Sequence, residues 1–434
     1  MDTHAREISL TKQTRASYDA YLDALPILLS RHEVFAQRWC VSGEKWMRVQ
    51  FAGCTFGDSR FLEADGTSHT VDPHTCRLRN LTYSIPLYTD IHVHRSNGAS
   101  SVLSSVYLGR IPLMVGSKRC KGGQFECPYD QGGYFIVNGS EKTVVNQKAH
   151  VHNTMLTLHR VVNGNPHWAI TCKSECDMGV MVTTVKWQHV ATITFPKLQH
   201  EIPVGVLLRH LPPPQFVTLS PEETAFYAQT LHADGDVVPH NTFHVGEPDE
   251  ERVRHALDYC LPHTDFKADF LLLMLRQLRL DMLTDTWADR DSLLYQRIEM
   301  VSDLLTSLTH HLLRKMCHDL KMFLHRKLTG DIRDTTLLKQ VGRVTTLTDG
   351  LQYALGTGNW TTLSFDNRQR VGVAQLLQRG TFFTAMSQFR RISSSIKPEQ
   401  KLSKPRYIHG THRGRLCFVE SPEGASCGLE SQLA

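Results

Sequence analysis

Gly380-Thr-Phe-Phe-Thr-Ala-Met-Ser-Gln-Phe-Arg390-Arg391-Ile-Ser-Ser is followed by three further strings: Lys401-Leu-Ser-Lys404-Pro405-Arg406, His409-Gly-Thr411-His412-Arg-Gly414-Arg415-Leu-Cys417 and Glu420-Ser-Pro422-Glu423-Gly424-Ala-Ser-Cys427-Gly428-Leu429. They lie where the charge of the chain concentrates. From Thr361 to Ala434 eleven Lys and Arg stand against five acids, a surplus of +6, whereas the whole 434-residue chain carries +5. A basic module on a near-neutral body is the electrostatic footprint of a phosphate-binding surface, and equally of a face that docks on an acidic protein. Residues 371–391 read as a helix, with Leu376, Leu377, Phe383, Met386 and Phe389 able to share a face. Ser393-Ser394-Ser395 ends it. The Pro/Gly-studded segment beyond, dense in Arg, Glu and His, has the composition of a functional loop on a rigid scaffold.

Working outward, Tyr134-Phe135-Ile136-Val137 followed by Asn138-Gly139 predicts a hairpin that returns through Thr143 to Val145. Strand-like alternation recurs at Trp46 to Phe51, Ile91 to His94, Met181 to Trp187 and Ala191 to Phe195. The triple proline Pro212-Pro213-Pro214 predicts the end of that sheet-rich region. Helical periods follow at Ala268 to Leu283 and after Asp289-Arg290-Asp291, where apolar residues at 294, 298, 301, 305, 308, 312, 316, 320 and 323 describe one long stripe.

Composition narrows the function classes. The longest apolar run, Phe270 to Leu275, is far shorter than the ~18 residues of a membrane-spanning helix, and Met1-Asp2-Thr3-His4 lacks a basic-then-apolar leader. Eleven cysteines without framework spacing predict a reducing compartment, with most of them serving as small buried hydrophobes. The 24 histidines include His92/His94, His150/His152, His310/His311 and His409/His412, none with a matching Cys or acidic spacing, so no metal site is predicted. No HExxH, Walker lysine loop or GxSxG elbow occurs.

The ordered strings of the basic end closely resemble the fork region of the second-largest, β-type subunit of multisubunit DNA-directed RNA polymerases, in its eukaryotic, archaeal or large-DNA-virus form. Ala354-Leu355-Gly-Thr-Gly358-Asn359-Trp360 is similar to the entry of the first fork loop. Arg77-Leu-Arg79-Asn80-Leu-Thr-Tyr83-Ser, Gly109-Arg110-Ile-Pro112 and Cys127-Pro-Tyr-Asp130-Gln-Gly132-Gly133-Tyr134 through Lys142 resemble the protrusion. Glu201-Ile-Pro203-Val with Arg209 resembles the lobe, and Asp289-Arg290-Asp291 with Gln296-Arg297-Ile298 resembles the junction where the chain returns from it. Two departures stand in the fork: Phe418 where the family usually has proline, and Ser421 where it has threonine. The stretch Thr361 to Asn367 lacks the lysines of many first fork loops.

The resemblance implies an α+β, multidomain fold of mixed sheets and helices: protrusion over 1–155, an inserted lobe over 156–302, protrusion again over 303–360 and fork over 361–434. It implies one side of the cleft for DNA and the RNA–DNA hybrid in DNA-templated transcription. Arg390, Arg391, Lys404, Arg406, Arg415, Glu423 and Gly424 are then proximal to nucleic acid or the active centre, with Glu423 either holding an arginine, lying near nucleotide and metal, or capping a turn. Cys427 is expected in the core. The family's external, hybrid-binding, wall, anchor and clamp regions lie beyond Ala434, which reads as the end of a split or interrupted gene. The catalytic magnesium belongs to the largest subunit, so this chain is expected to bind no cofactor, to hold no catalytic residue of its own and to be inactive alone. Implied partners are the largest subunit, a chain carrying the rest of the second-largest subunit, template DNA and the hybrid. The implied setting is intracellular: a nucleus, or a viral transcription compartment or virion. Two other readings stand beside this one: a non-catalytic remnant or decoy that binds polymerase subunits or nucleic acid, and a free-standing nucleic-acid-binding module.

Overall fold

A computed structural model describes residues 11–40, 43–63, 65–122, 126–127, 129–162, 165–176, 179–196, 201–231, 257–328, 333–343, 345–361 and 369–434. The first unit begins with helix α1 (Lys12–Ser30), whose Tyr18, Tyr21, Leu22, Leu25 and Leu29 recur at helical spacing and are buried. The Tyr18 hydroxyl donates to the Pro112 carbonyl at 2.8 Å, so the helix is bonded as well as packed. It lies against a four-stranded antiparallel sheet of β1 (Glu33–Cys40), β2 (Gly43–Phe56), β3 (Ser84–Arg95) and β4 (Ser100–Pro112), in that order.

The expected hairpin is present. β5 (Phe135–Val137) turns through Asn138 (φ 49°) and Gly139 (φ 75°) into β6 (Ser140–Val144), the left-handed pair that a two-residue turn requires. A Cβ at Gly139 would lie 2.5 Å from Asn80 Oδ1, so glycine is required there on two counts. Strand β7 (Asn146–His150) continues from the hairpin into a different sheet.

The second unit is an antiparallel meander: β8 (Met155–Val162), β9 (Asn165–Cys176), β10 (Gly179–Trp187), β11 (Ala191–Thr194) and β12 (Ile202–Pro203). Here the proline expectation needs correction. The sheet ends at Pro203, and the three prolines instead follow helix α2 (Val204–His210), where their missing N–H groups forbid another turn. Helix α3 (Lys267–Thr284) covers the meander with Leu271, Leu272, Met274, Leu275 and Leu278. Its Asp269 accepts N–H bonds from Gln215, Phe216 and Val217 at 2.8–3.2 Å and so anchors the post-proline segment.

The chain returns through β13 (Gln296–Glu299) and helix α4 (Val301–Lys327). The long helix thus begins at 301. Leu294 and Ile298, which fit its period, lie in a 3-10 turn and in β13 and are 77% and 39% exposed, because residues 296–299 pair with β7 instead. The stripe from Leu304 to Leu324 joins the first core, which draws on residues 18–144 and 301–389, while a separate core draws on residues 168–278. Helices α5 (Asp334–Arg343) and α6 (Thr346–Thr357) pack on β4.

The C-terminal region differs from its reading as one helix. Residues 374–376 form β14 (Ala374–Leu376), paired with β6, and only Phe382–Arg390 is helical (α7). Leu376 and Phe383 are 59% and 82% exposed, so they do not share the buried face of Met386 and Phe389. Ser393 and Ser394 continue a strand, β15 (Arg391–Ser394), rather than end a helix. With β16 (Leu416–Cys417) and β17 (Glu430–Leu433) it completes a five-stranded sheet in the order β13-β7-β15-β17-β16, with β15 parallel to β7.

Candidate nucleic-acid interface

This mixed sheet carries the basic loops. Arg390 ends α7 and donates to the Leu433 carbonyl, while Arg391 Nη1 lies 3.5 Å from Glu430 and from Gln375 Oε1. The Arg391 Nε is buried without a hydrogen-bond partner among the described residues. Arg406 is the most heavily bonded of the predicted residues. Its guanidinium donates to five main-chain carbonyls: Leu402 (3.0 Å), Ala425 (2.6 Å), Cys427 (3.0 Å), Pro398 (3.0 Å) and Gln400 (3.2 Å). It therefore ties residues 398–402 to residues 425–427, using the planar fork of donors that lysine lacks.

Lys404, Arg413 and Arg415 face outward. Lys404 comes no nearer a carboxylate than 3.9 Å, to Asp289. Arg413 and Arg415 are exposed and their side chains make no hydrogen bond or ion pair among the described residues. Glu423 is exposed at the N-cap of the 3-10 turn Gly424–Ser426, without a side-chain cap bond and without an ion pair among the described residues. Gly424 has φ 73° in open space. Cys427 requires a correction: it is exposed, because the fold engages its carbonyl through Arg406 and leaves the thiol outside the core. Of the ten described cysteines only Cys76, Cys172, Cys260 and Cys317 are buried, fewer than expected.

The loop is latched to the 289–293 segment. Thr411 N–H donates to His409 Nδ1 at 3.2 Å, which makes that nitrogen the acceptor and leaves Nε2–H toward Asp289 Oδ2 at 3.3 Å. Leu293 N–H donates to Thr411 Oγ1 at 3.1 Å. Further back, the indole N–H of fully buried Trp360 donates to the Leu304 carbonyl at 3.1 Å, fixing the chain just before residues 362–368. The lysine-poor stretch Thr361 to Asn367 lies, after Thr361, outside the described residues.

Two ion networks escape sequence reasoning. Arg77 donates to Glu126 at 2.9 and 3.1 Å, to Glu141 at 2.7 Å and to the Tyr134 hydroxyl at 2.6 Å. Arg379 meets the same Glu141 and Asp130, and both guanidinium groups lie over the Tyr134 ring, at 5.9 and 5.0 Å. In the second network Glu299 pairs with Arg370 and, at 3.2 Å, with Arg297, which also lies 3.5 Å from Glu175. Burial alone would raise the Glu299 carboxyl, but these two arginines hold it below the usual range. The motif strings contained Arg77, Asp130, Tyr134 and Glu141, yet only the three-dimensional pairing brings Arg379 to them. Among the described residues no three His, Cys, Asp or Glu side chains are grouped to hold a metal ion, and no helix is long and apolar enough to cross a membrane.

Comparison with known proteins agrees along the chain. Residues 9–348 match the family described as RNA polymerase beta subunit, and residues 375–434 match RNA polymerase Rpb2, domain 3. The DNA-directed RNA polymerase II subunit RPB2 of Schizosaccharomyces pombe is 30% identical, over 99% of this chain and 41% of its own length. The Arabidopsis thaliana DNA-directed RNA polymerase II subunit 2 is 28% identical, over 89% of this chain and 38% of its own. The DNA-directed RNA polymerase subunit Rpo2N of Methanococcus vannielii is 27% identical over 100% of this chain and 93% of its own length. The chain thus spans about two fifths of the RNA polymerase II relatives and nearly all of that archaeal one.

Proposed function

Since the chain belongs to the RNA polymerase beta subunit family, we propose that it serves as the protrusion, lobe and fork of a second-largest subunit, forming one side of the DNA and RNA–DNA hybrid cleft in an enzyme that other chains complete. In this reading the first core is the protrusion, residues 1–155 and 303–360; the meander with its helices is the lobe, 156–302; and residues 361–434 are the fork.

The exposed cations of the fork, of which Arg413 and Arg415 have no partner among the described residues, lie in loops of a sheet that also includes strands from the other two parts and support this reading. Phosphate contacts need donors that are fixed in place and free of internal partners. Arg415 meets that need, Lys404 holds only a long, exposed contact of 3.9 Å with Asp289, and both are assigned to touch nucleic acid. Arg390, Arg391 and Arg406 are assigned to hold the frame beside it, Gly424 to shape the turn, and Glu423 to face the active centre across it. The chain supplies no catalytic residue, and magnesium would be held by the largest subunit.

The proposed partners are therefore the largest subunit, a chain or segment carrying the remaining three fifths of the second-largest subunit, template DNA and the hybrid; the proposed setting is a nucleus or a viral transcription compartment. Affinity purification of the tagged chain from its native source, with mass spectrometry of what accompanies it, tests the assembly. Recovery of a largest subunit and of sequences matching the missing regions supports the reading. Recovery of the chain without any polymerase subunit contradicts it and leaves a remnant or decoy.

A further inference from the structure

A cavity of about 430 Å³ lies within the first unit, where the short hairpin of residues 60–62 and 68–70, the start of β3, the end of β4, the Asn138 turn and α6 meet. Its wall mixes the apolar side chains of Phe61, Val71, Leu81 and Pro112 with hydroxyl and amide groups, and no Asp or Glu lines it among the described residues. Thr348 and Gln352, one turn apart on α6, share the face that closes it. Both hold neighbours in place: Thr348 Oγ1 accepts from the Arg110 main-chain N–H at 2.9 Å, and Gln352 Nε2 donates to Asn138 Oδ1 at 2.6 Å.

Arg110 is the half-buried cation of this wall. Its Nε donates to Ser84 Oγ at 2.9 Å, and its Nη2 donates to the carbonyls of Arg60 and Ser84, each at 3.0 Å. These acceptors are all neutral. Its Nη1 makes no hydrogen bond, and its guanidinium no ion pair, among the described residues. The acids of the neighbouring segments are engaged elsewhere: Glu63 with Arg79 at 2.6 Å and Asp58 with Lys121 at 2.8 Å, which leaves the exposed Arg60 a contact of only 3.9 Å with Asp58. The Ser59 hydroxyl and the Asn80 amide, also in the wall, make no hydrogen bond among the described residues. A half-buried charge held by neutral acceptors lacks the counter-charge that would offset its desolvation. A carboxylate beside it would supply one through a charge-assisted hydrogen bond.

We propose that this cavity binds a small organic carboxylate, its charged end on Arg110 and its hydrocarbon body against Phe61, Val71, Leu81 and Pro112. One guanidinium with a single uncommitted nitrogen, helped by an amide and a hydroxyl, matches a monoanion better than a phosphate dianion, which needs more donors. The volume falls within the ordinary range of small-ligand pockets, about 300–1,000 Å³. None of these residues is among those assigned to the fork loops, so the site stands or falls independently of them.

The test uses the full chain and three probes, 2-naphthoate, its neutral isostere 2-naphthamide and 2-naphthyl phosphate, followed by calorimetry and by the rise in melting temperature that a ligand of the folded state causes. The wild type is expected to bind 2-naphthoate at least about tenfold more tightly than 2-naphthamide, because a hydrogen bond to a charged group is worth that much or more. Arg110→Gln should remove that preference. Because Arg110 also ties β3 to residue 60, a second variant leaves it in place: Ser59→Trp, whose indole fills the cavity, should abolish binding of 2-naphthoate. Arg415→Ala should leave binding unchanged. Thermal unfolding of each variant without probe separates lost binding from lost folding. Four results would overturn the proposal: no binding of 2-naphthoate to the wild type, equal affinity for 2-naphthamide, tighter binding of 2-naphthyl phosphate, or wild-type affinity for 2-naphthoate in folded Arg110→Gln or Ser59→Trp.

Discussion

A Cβ on Gly428 would lie 2.4 Å from the carbonyl oxygen of Arg406, the residue whose guanidinium binds the carbonyls of Ala425, within the Gly424–Ser426 turn, and of Cys427, just after it. The glycine is therefore the point at which two loop segments touch backbone to backbone. Its φ of 73° adds a second restriction.

Gly428→Ala is expected to destabilise by more than the about 1–2 kcal/mol that a left-handed φ costs a residue with a Cβ, since the contact must also be relieved. Gly424→Ala, at the same φ in open space, is expected to cost only that conformational amount. Urea unfolding of the two variants checks the order. A smaller effect at 428 than at 424 would contradict the close approach.

Arg406 and Arg415 are expected to behave oppositely. Arg406→Lys loses the five-carbonyl geometry while keeping the charge, so limited proteolysis should open residues 398–427. Arg415→Ala should leave proteolysis unchanged and reduce the slope of log affinity for nucleic acid against log salt by about 1.

Arg77 and Arg379 share Glu141 and the Tyr134 ring, so their energies are expected to couple. Arg77→Ala leaves Glu126 half-buried without its ion-pair partner and Glu141 with Arg379 alone, and removing one member of a buried pair costs about 3 kcal/mol. A double-mutant cycle with Arg379→Ala is predicted to show at least about 0.5 kcal/mol of interaction. Strict additivity would mean that the two guanidinium groups act separately.

Local features were legible in sequence and non-local ones were not. Asn138-Gly139 announces its hairpin because the turn is decided by two residues. Ala374 to Leu376 misleads because a β-hydrogen-bonding partner some 230 residues earlier, in β6, overrides an apolar spacing that fits a helix. Ile298 misleads likewise, since strand pairing with β7 takes it out of α4's period, and Leu294 lies in the 3-10 turn before that strand. At the site, residue type located the basic loop but does not distinguish Arg406, whose donors are fully used internally, from Arg415, whose side chain bonds to nothing among the described residues. That distinction depends on where carbonyls converge, which only the fold sets.

Stability is expected to fall on acidification through His150. Its pKa in the folded chain, about 4, lies below the ordinary 6.5, so between those values the unfolded chain binds the extra proton. Its contribution is fully present above pH 6.5, is lost progressively as pH falls toward 4, and changes no further below that. His150→Gln, which does not titrate, should flatten the decline in melting temperature between pH 6.5 and 4.5; a decline as steep as in the wild type would rule out His150 as its source.

Template-dependent primer extension by the complex purified through a tag on this chain tests the central claim most directly. The account predicts RNA synthesis that requires template and all four nucleotides, and that Arg415→Ala with Lys404→Ala diminishes without loss of assembly. A purified complex that extends no primer, or one whose synthesis is unchanged by removing both fork cations, would contradict it.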